Sequence, residues 1–78
     1  MYLLKMVTKQ KTRKMTQVLA RFQSLDRALY VLGSMANEEY QFAAEQTTRA
    51  AIRVLENGWI QVKTGKRSER IFLIQEGS

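Results

Sequence analysis

The chain contains no cysteine, no histidine and no proline, and it holds only four glycines, one tryptophan and seven acidic residues among 78. Each shortage closes off a class of protein. Without cysteine there is neither a disulfide framework nor a thiolate metal site, which fits a reducing compartment. Without histidine the commonest acid-base and zinc-ligand side chain is missing, and no thiol stands in as a nucleophile. Glu38 and Glu39 do not make a carboxylate pair, because consecutive residues diverge on a helix. The glycines, at 33, 58, 65 and 77, are isolated, so there is no glycine-rich phosphate loop. The expectation is a protein that is not an enzyme, with no cofactor, no metal and no small-molecule substrate. No apolar run approaches the roughly 20 residues of a membrane span, and the opening MYLLKMV is followed by basic residues instead of a cleavage site. No membrane partner and a cytoplasmic location are expected.

What the chain has in quantity is positive charge. Thirteen Lys and Arg against seven Asp and Glu leave a net charge of +6, which favours polyanionic partners through counterion release. Hydrophobic residues make up 45%, enough for one small core in a single domain. Residues 1–14 carry Lys5, Lys9, Lys11, Arg13 and Lys14 and no acid, so they read as a basic arm, with Met1 to Val7 as a possible edge strand.

From Met15 the apolar residues Met15, Val18, Leu19, Phe22, Leu25, Leu29, Leu32 and Ala36 recur at steps of mostly three or four, an amphipathic-helix spacing. Thr16 and Ser24 are cap candidates, for two helices or one bent helix. Gly33 weakens a helix unless a neighbour packs close against it. Asn37, with Glu38 and Glu39 behind it, marks a third helix from about residue 38, and Thr47 or Thr48 caps a further one stopped at Gly58. One continuous helix over 38–57 satisfies the same residues. After Gly58 the period changes. Trp59 to Lys63 and Arg70 to Ile74 are rich in β-branched and aromatic residues around a turn at Thr64 to Glu69, which predicts a hairpin.

On a helix from Thr48 to Asn57, Ala51, Val54 and Leu55 gather on one side while Arg49 and Arg53 point to the other. Arg suits a bidentate contact with guanine, and Gln46, Thr48 and Asn57 are polar neighbours able to touch bases or phosphates. The hairpin adds Lys63, Lys66, Arg67 and Arg70, point charges suited to phosphates. Trp59 and Phe72 could stack on unpaired bases, but burial against the core is the favoured expectation for Trp59.

Leu55-Glu56-Asn57-Gly58-Trp59-Ile60, preceded by Ala51 and Val54 and followed by the basic hairpin, resembles the second half of a winged helix-turn-helix domain over residues 47–75. The resemblance implies an α+β winged helix spanning 15–78: two to three N-terminal helices, a recognition helix and a two-stranded wing. It also implies sequence-specific binding of double-stranded DNA, as a small transcriptional regulator of phage or plasmid type. DNA-binding residues are then Gln46, Thr48, Arg49 and Arg53 on the helix, with Lys63, Lys66, Arg67 and Arg70 at the wing. A homodimer is expected through Met15 to Phe22. The alternatives are a protein-interaction module with a basic face, a small inhibitor or adaptor, and a binder of RNA or single strands.

Overall fold

In the computed structural model, which describes residues 1–77, the chain runs β1 (Tyr2–Gln10), β2 (Arg13–Phe22), α1 (Leu25–Gln46), β3 (Ala51–Val54), β4 (Ile60–Lys63) and β5 (Ser68–Glu76). The strands form one sheet in the order β2-β1-β5-β4-β3, and every neighbouring pair is antiparallel. β1 and β5 pair along their whole length, from Tyr2 opposite Glu76 to Gln10 opposite Ser68. Because β2 and β3 are opposite edges, α1 has to carry the chain across the full sheet. Its 22 residues reach about 33 Å at the helical rise, against a sheet width of about 19 Å for four strand steps. Among the described residues no helix is long and apolar enough to cross a membrane.

This architecture replaces the expected winged helix. The described residues hold no N-terminal helices and no recognition helix; they form a single helix laid on one face of a five-stranded sheet. Residues 1–14, expected as an arm or edge strand, supply β1, an inner strand hydrogen-bonded on both sides.

Met15 to Phe22 imitates a helix for a definite reason. A register shift between Leu4 and Lys5 leaves Leu19 as an extra residue in β2, opposite no partner. Such a bulge moves the two-residue alternation by one. Met15, opposite Thr8, and Phe22, opposite Tyr2, therefore share a face although they stand seven residues apart, a spacing a helix would also place on one side.

The helix begins where its cap predicts. Ser24 is extended, and its Oγ accepts a hydrogen bond from the Arg27 N–H at 3.3 Å. It then continues straight through Asn37, which is helical and caps nothing. Ala28, Leu32, Ala36 and Ala43 are its buried residues. Three of the four are alanines, so the helix backbone can lie close to the sheet, where Leu32 and Ala36 meet Leu4, Val62 and Phe72 in the core. Gly33 is not packed closely: a side chain there would meet nothing within 4 Å.

The segment 47–57 is not helical. Thr47 ends α1 in an extended conformation, its N–H donating to the Ala43 carbonyl at 3.0 Å. Ile52 and Val54 then stand opposite Val62 and Ile60 in the β3–β4 ladder, alternating with Ala51 and Arg53 on the other face. The β-branched pair at two-residue spacing favours a strand once β4 is available as a partner. Gly58, expected to stop a helix, instead closes the β3–β4 turn. It takes φ +87, and its N–H donates to the Leu55 carbonyl at 2.9 Å. The predicted hairpin after Gly58 is present as β4 and β5.

Candidate functional site

Strand alternation divides the side chains into two populations. Leu4 and Met6 of β1, Val62 and Ile60 of β4, and Phe72 and Ile74 of β5 pack in or against the core under the helix. The residues between them project from the other face, which no helix covers.

By the cross-strand register, that bare face carries Lys14 and Arg21 from β2, Lys5 and Lys9 from β1, Lys63 from β4 and Arg53 from β3. Its one carboxylate is Glu69. That group is held in place: Gln61 Nε2 donates to Glu69 Oε2 at 2.6 Å, and Arg53 Nε donates to Gln61 Oε1 at 2.7 Å. Lys5 Nζ likewise donates to the Gln75 side-chain oxygen. Val7 and Leu73 lie among these polar groups, 9% and 7% exposed, so the stems of their neighbours cover them.

Two hairpin ends meet at one end of this face. Lys11 and Thr12 turn β1 into β2, while residues 64–67 turn β4 into β5, and the Lys11 N–H donates to the Arg67 carbonyl at 3.0 Å. Between them lies an open cleft of about 380 Å³ whose lining includes Lys9, Lys11, Lys63, Lys66 and Arg67, with Glu69 the only acid. Lys11 holds φ +56, a left-handed conformation uncommon for a residue with a Cβ. A second open cleft, lined by Ala51, Arg53, Gln61, Lys63 and Glu69, adjoins the first through Lys63 and Glu69.

The residues expected to bind DNA are therefore split. Lys63, Lys66 and Arg67 come together at the cleft. Arg53 joins the same face from β3 instead of from a helix. Gln46 is the last residue of α1, and Thr48 and Arg49 sit in the exposed turn after it, where the Arg49 N–H donates to Thr47 Oγ1 at 3.1 Å. Arg49 and Arg53 thus do not form one helical reading face. Arg70 is turned to the helix side, its Nη1 2.6 Å from Glu39 Oε1. Trp59, expected in the core, is 37% exposed and stands outside the core cluster.

What the residue pattern did not disclose is the contribution of Lys5, Lys9, Lys11, Lys14 and Arg21. The signal was available in the alternation of Lys5, Val7 and Lys9 with Leu4, Met6 and Thr8. It was hidden because the turn Lys11-Thr12 contains none of the Gly, Asn or Asp that usually mark a two-residue hairpin. Among the described residues no three acidic side chains gather to hold a metal ion. No protein-family model matches the chain, and no curated protein and no solved structure matches it.

Proposed function

We propose that this chain binds nucleic acid through the phosphate backbone, with the bare sheet face and the joined hairpin ends as the contact surface. The observation that carries the reading is the segregation of charge. The helix holds four acids, Asp26, Glu38, Glu39 and Glu45, and one cation, Arg27. The remaining twelve cations and three acids belong to the sheet and its connections, a net of +9 on that part. Phosphate oxygens require positive charge at suitable spacing more than any particular side chain, and five cations around one cleft displace condensed counterions when they meet a strand.

Double-stranded DNA, the partner expected from the sequence, can be met in this way without a recognition helix. Base reading by Arg49 and Arg53 is not part of the proposal, since 47–57 forms no helix to carry it. A cytoplasmic location belongs to the same reading, as does a homodimer in altered form. Met15 to Phe22 is now the free edge of β2, and two copies joined along it would continue the basic face. Arg13, Lys14 and Arg21 repel across such a joint, so pairing is favoured only once phosphates neutralise them.

The test is titration of random-sequence duplex and single-stranded probes over a salt series, followed by mobility shift. Five neutralised phosphates predict a slope of log affinity on log salt of about −4 to −5 on a duplex. The double variant Lys66→Glu, Arg67→Glu should flatten that slope and abolish the shift at moderate salt. Failure to retain either probe at low salt would sink the proposal, and binding to an acidic protein in its place would favour an interaction module.

A further inference from the structure

Resting on the phosphate-binding reading above, we infer that the occupant of the bare sheet face is a single strand of nucleic acid, with a base stacked on Trp59 and the chain continuing toward the cationic cleft.

The inference starts from the β3–β4 turn. The Leu55 N–H donates to the Trp59 carbonyl at 2.7 Å, extending the ladder by one pair beyond Val54 and Ile60. Alternation then places Trp59 and Leu55 on the face of Arg53 and Gln61, away from the helix. The β4–β5 register, carried on by one residue from Ile60 opposite Phe72, sets Trp59 beside Leu73, which itself stands opposite Lys5. One row across the sheet therefore reads Val18, Lys5, Leu73, Trp59, Leu55. It is apolar apart from Lys5; Val18 is 46% and Trp59 37% exposed, while Leu73 between them is covered at 7%.

Two rows further along lie Lys14, Lys9, Glu69 and Lys63, and beyond them the cleft with Lys66 and Arg67. Along β4 this face runs from Trp59 to Lys63 in four residue steps, about 13 Å, with Arg53 on the row between; Lys5 and Arg21 supply cations near the Trp59 end as well. An exposed aromatic platform continuous with a basic track is the arrangement on which unpaired bases stack while their phosphates are held.

Width keeps this face out of a duplex groove, so a duplex laid on it offers phosphates alone and no base. Five strands span about 19 Å, whereas the major groove is about 12 Å wide and admits a helix or a two-stranded ribbon. Only the hairpin ends could reach into a groove, and Trp59 lies at the opposite end of β4 from them. A base in the interior of a duplex, moreover, has no free face to offer Trp59. Stacking also tolerates any base, so little sequence preference is expected.

The experiment uses the full chain and labelled random-sequence oligonucleotides of about 12 nucleotides, as single-stranded DNA, single-stranded RNA and duplex, at one moderate salt concentration. Probe anisotropy reports binding, and emission of Trp59, the one tryptophan in the chain, reports stacking. Either single strand should bind about tenfold or more tightly than the duplex and quench the emission. Trp59→Ala should lose about tenfold on single strands and little on the duplex, and Trp59→Phe should recover most of that loss. Equal or tighter duplex binding with unchanged emission overturns the single-strand inference and leaves phosphate binding standing. Single-strand preference without quenching, or with Trp59→Phe no better than Trp59→Ala, also overturns it. Absence of binding to every probe overturns the phosphate reading itself.

Discussion

Gly33→Ala is a direct test of the single long helix. Gly33 lies within α1, between Leu32, which is 3% exposed, and Ser34, which faces solvent. Its backbone is not in the left-handed region, since Gly58 is the glycine with positive φ. An added Cβ would meet nothing within 4 Å, so the substitution introduces no clash and displaces no neighbour. What remains is the helix-propensity difference, in which alanine is favoured by about 0.8–1.0 kcal/mol at an interior position. In a domain of this size about 1 kcal/mol raises the melting temperature by about 4–8 °C. Thermal unfolding followed by circular dichroism at the helical band, with Trp59 emission as a second probe of two-state behaviour, measures the shift. An unchanged or lowered melting temperature would refute the reasoning, because it would mean either that residue 33 is not helical or that another element packs on it.

The β1–β2 turn, the Arg70–Glu39 pair and the core each offer a further test. Lys11→Gly relieves the left-handed strain at φ +56 and should stabilise by up to about 1 kcal/mol, while removing one cation from the cleft and reducing the salt slope by about 0.9; stability loss in urea melts would count against the turn geometry. Arg70→Ala breaks the half-exposed pair with Glu39, should cost about 0.2–1 kcal/mol, and should leave nucleic-acid affinity nearly unchanged, in contrast to Lys66→Ala; an equal drop for both would place Arg70 on the binding face after all. Phe72→Ala empties the largest side chain of the core, 2% exposed, and should cost about 3–5 kcal/mol, a large share of the stability of a domain this small. A variant with a near-native urea midpoint would contradict the packing of β5 against α1.

The basic cleft itself turns on tertiary placement more than on composition. Lys66 and Arg67 are visible as a charged turn in the chain, and Lys9 and Lys11 as part of a basic terminus. Nothing in either stretch says that they face each other. They do because β1 pairs with β5 and not only with β2, which lines up the two hairpin ends and joins Lys11 to Arg67. Arg70, one alternation step out of phase with Glu69, is carried to the other side of the same strand and neutralised by the helix.

Some properties were settled by the residues alone. Composition fixes the excess of positive charge and withholds histidine and cysteine, and local chemistry places the Ser24 cap and the hairpin after Gly58, because caps and tight turns depend on neighbours a few residues apart. The identity of Met15 to Phe22 and of 47–57 was decided only by the folded chain. A bulge at Leu19 made a strand look helical, and the apolar residues of 47–57 fit either period until β4 supplied the hydrogen-bonding partner that a strand requires. Which cations stand together was likewise a matter of sheet order, since strand pairing brings together residues some 60 positions apart whose proximity no local pattern encodes.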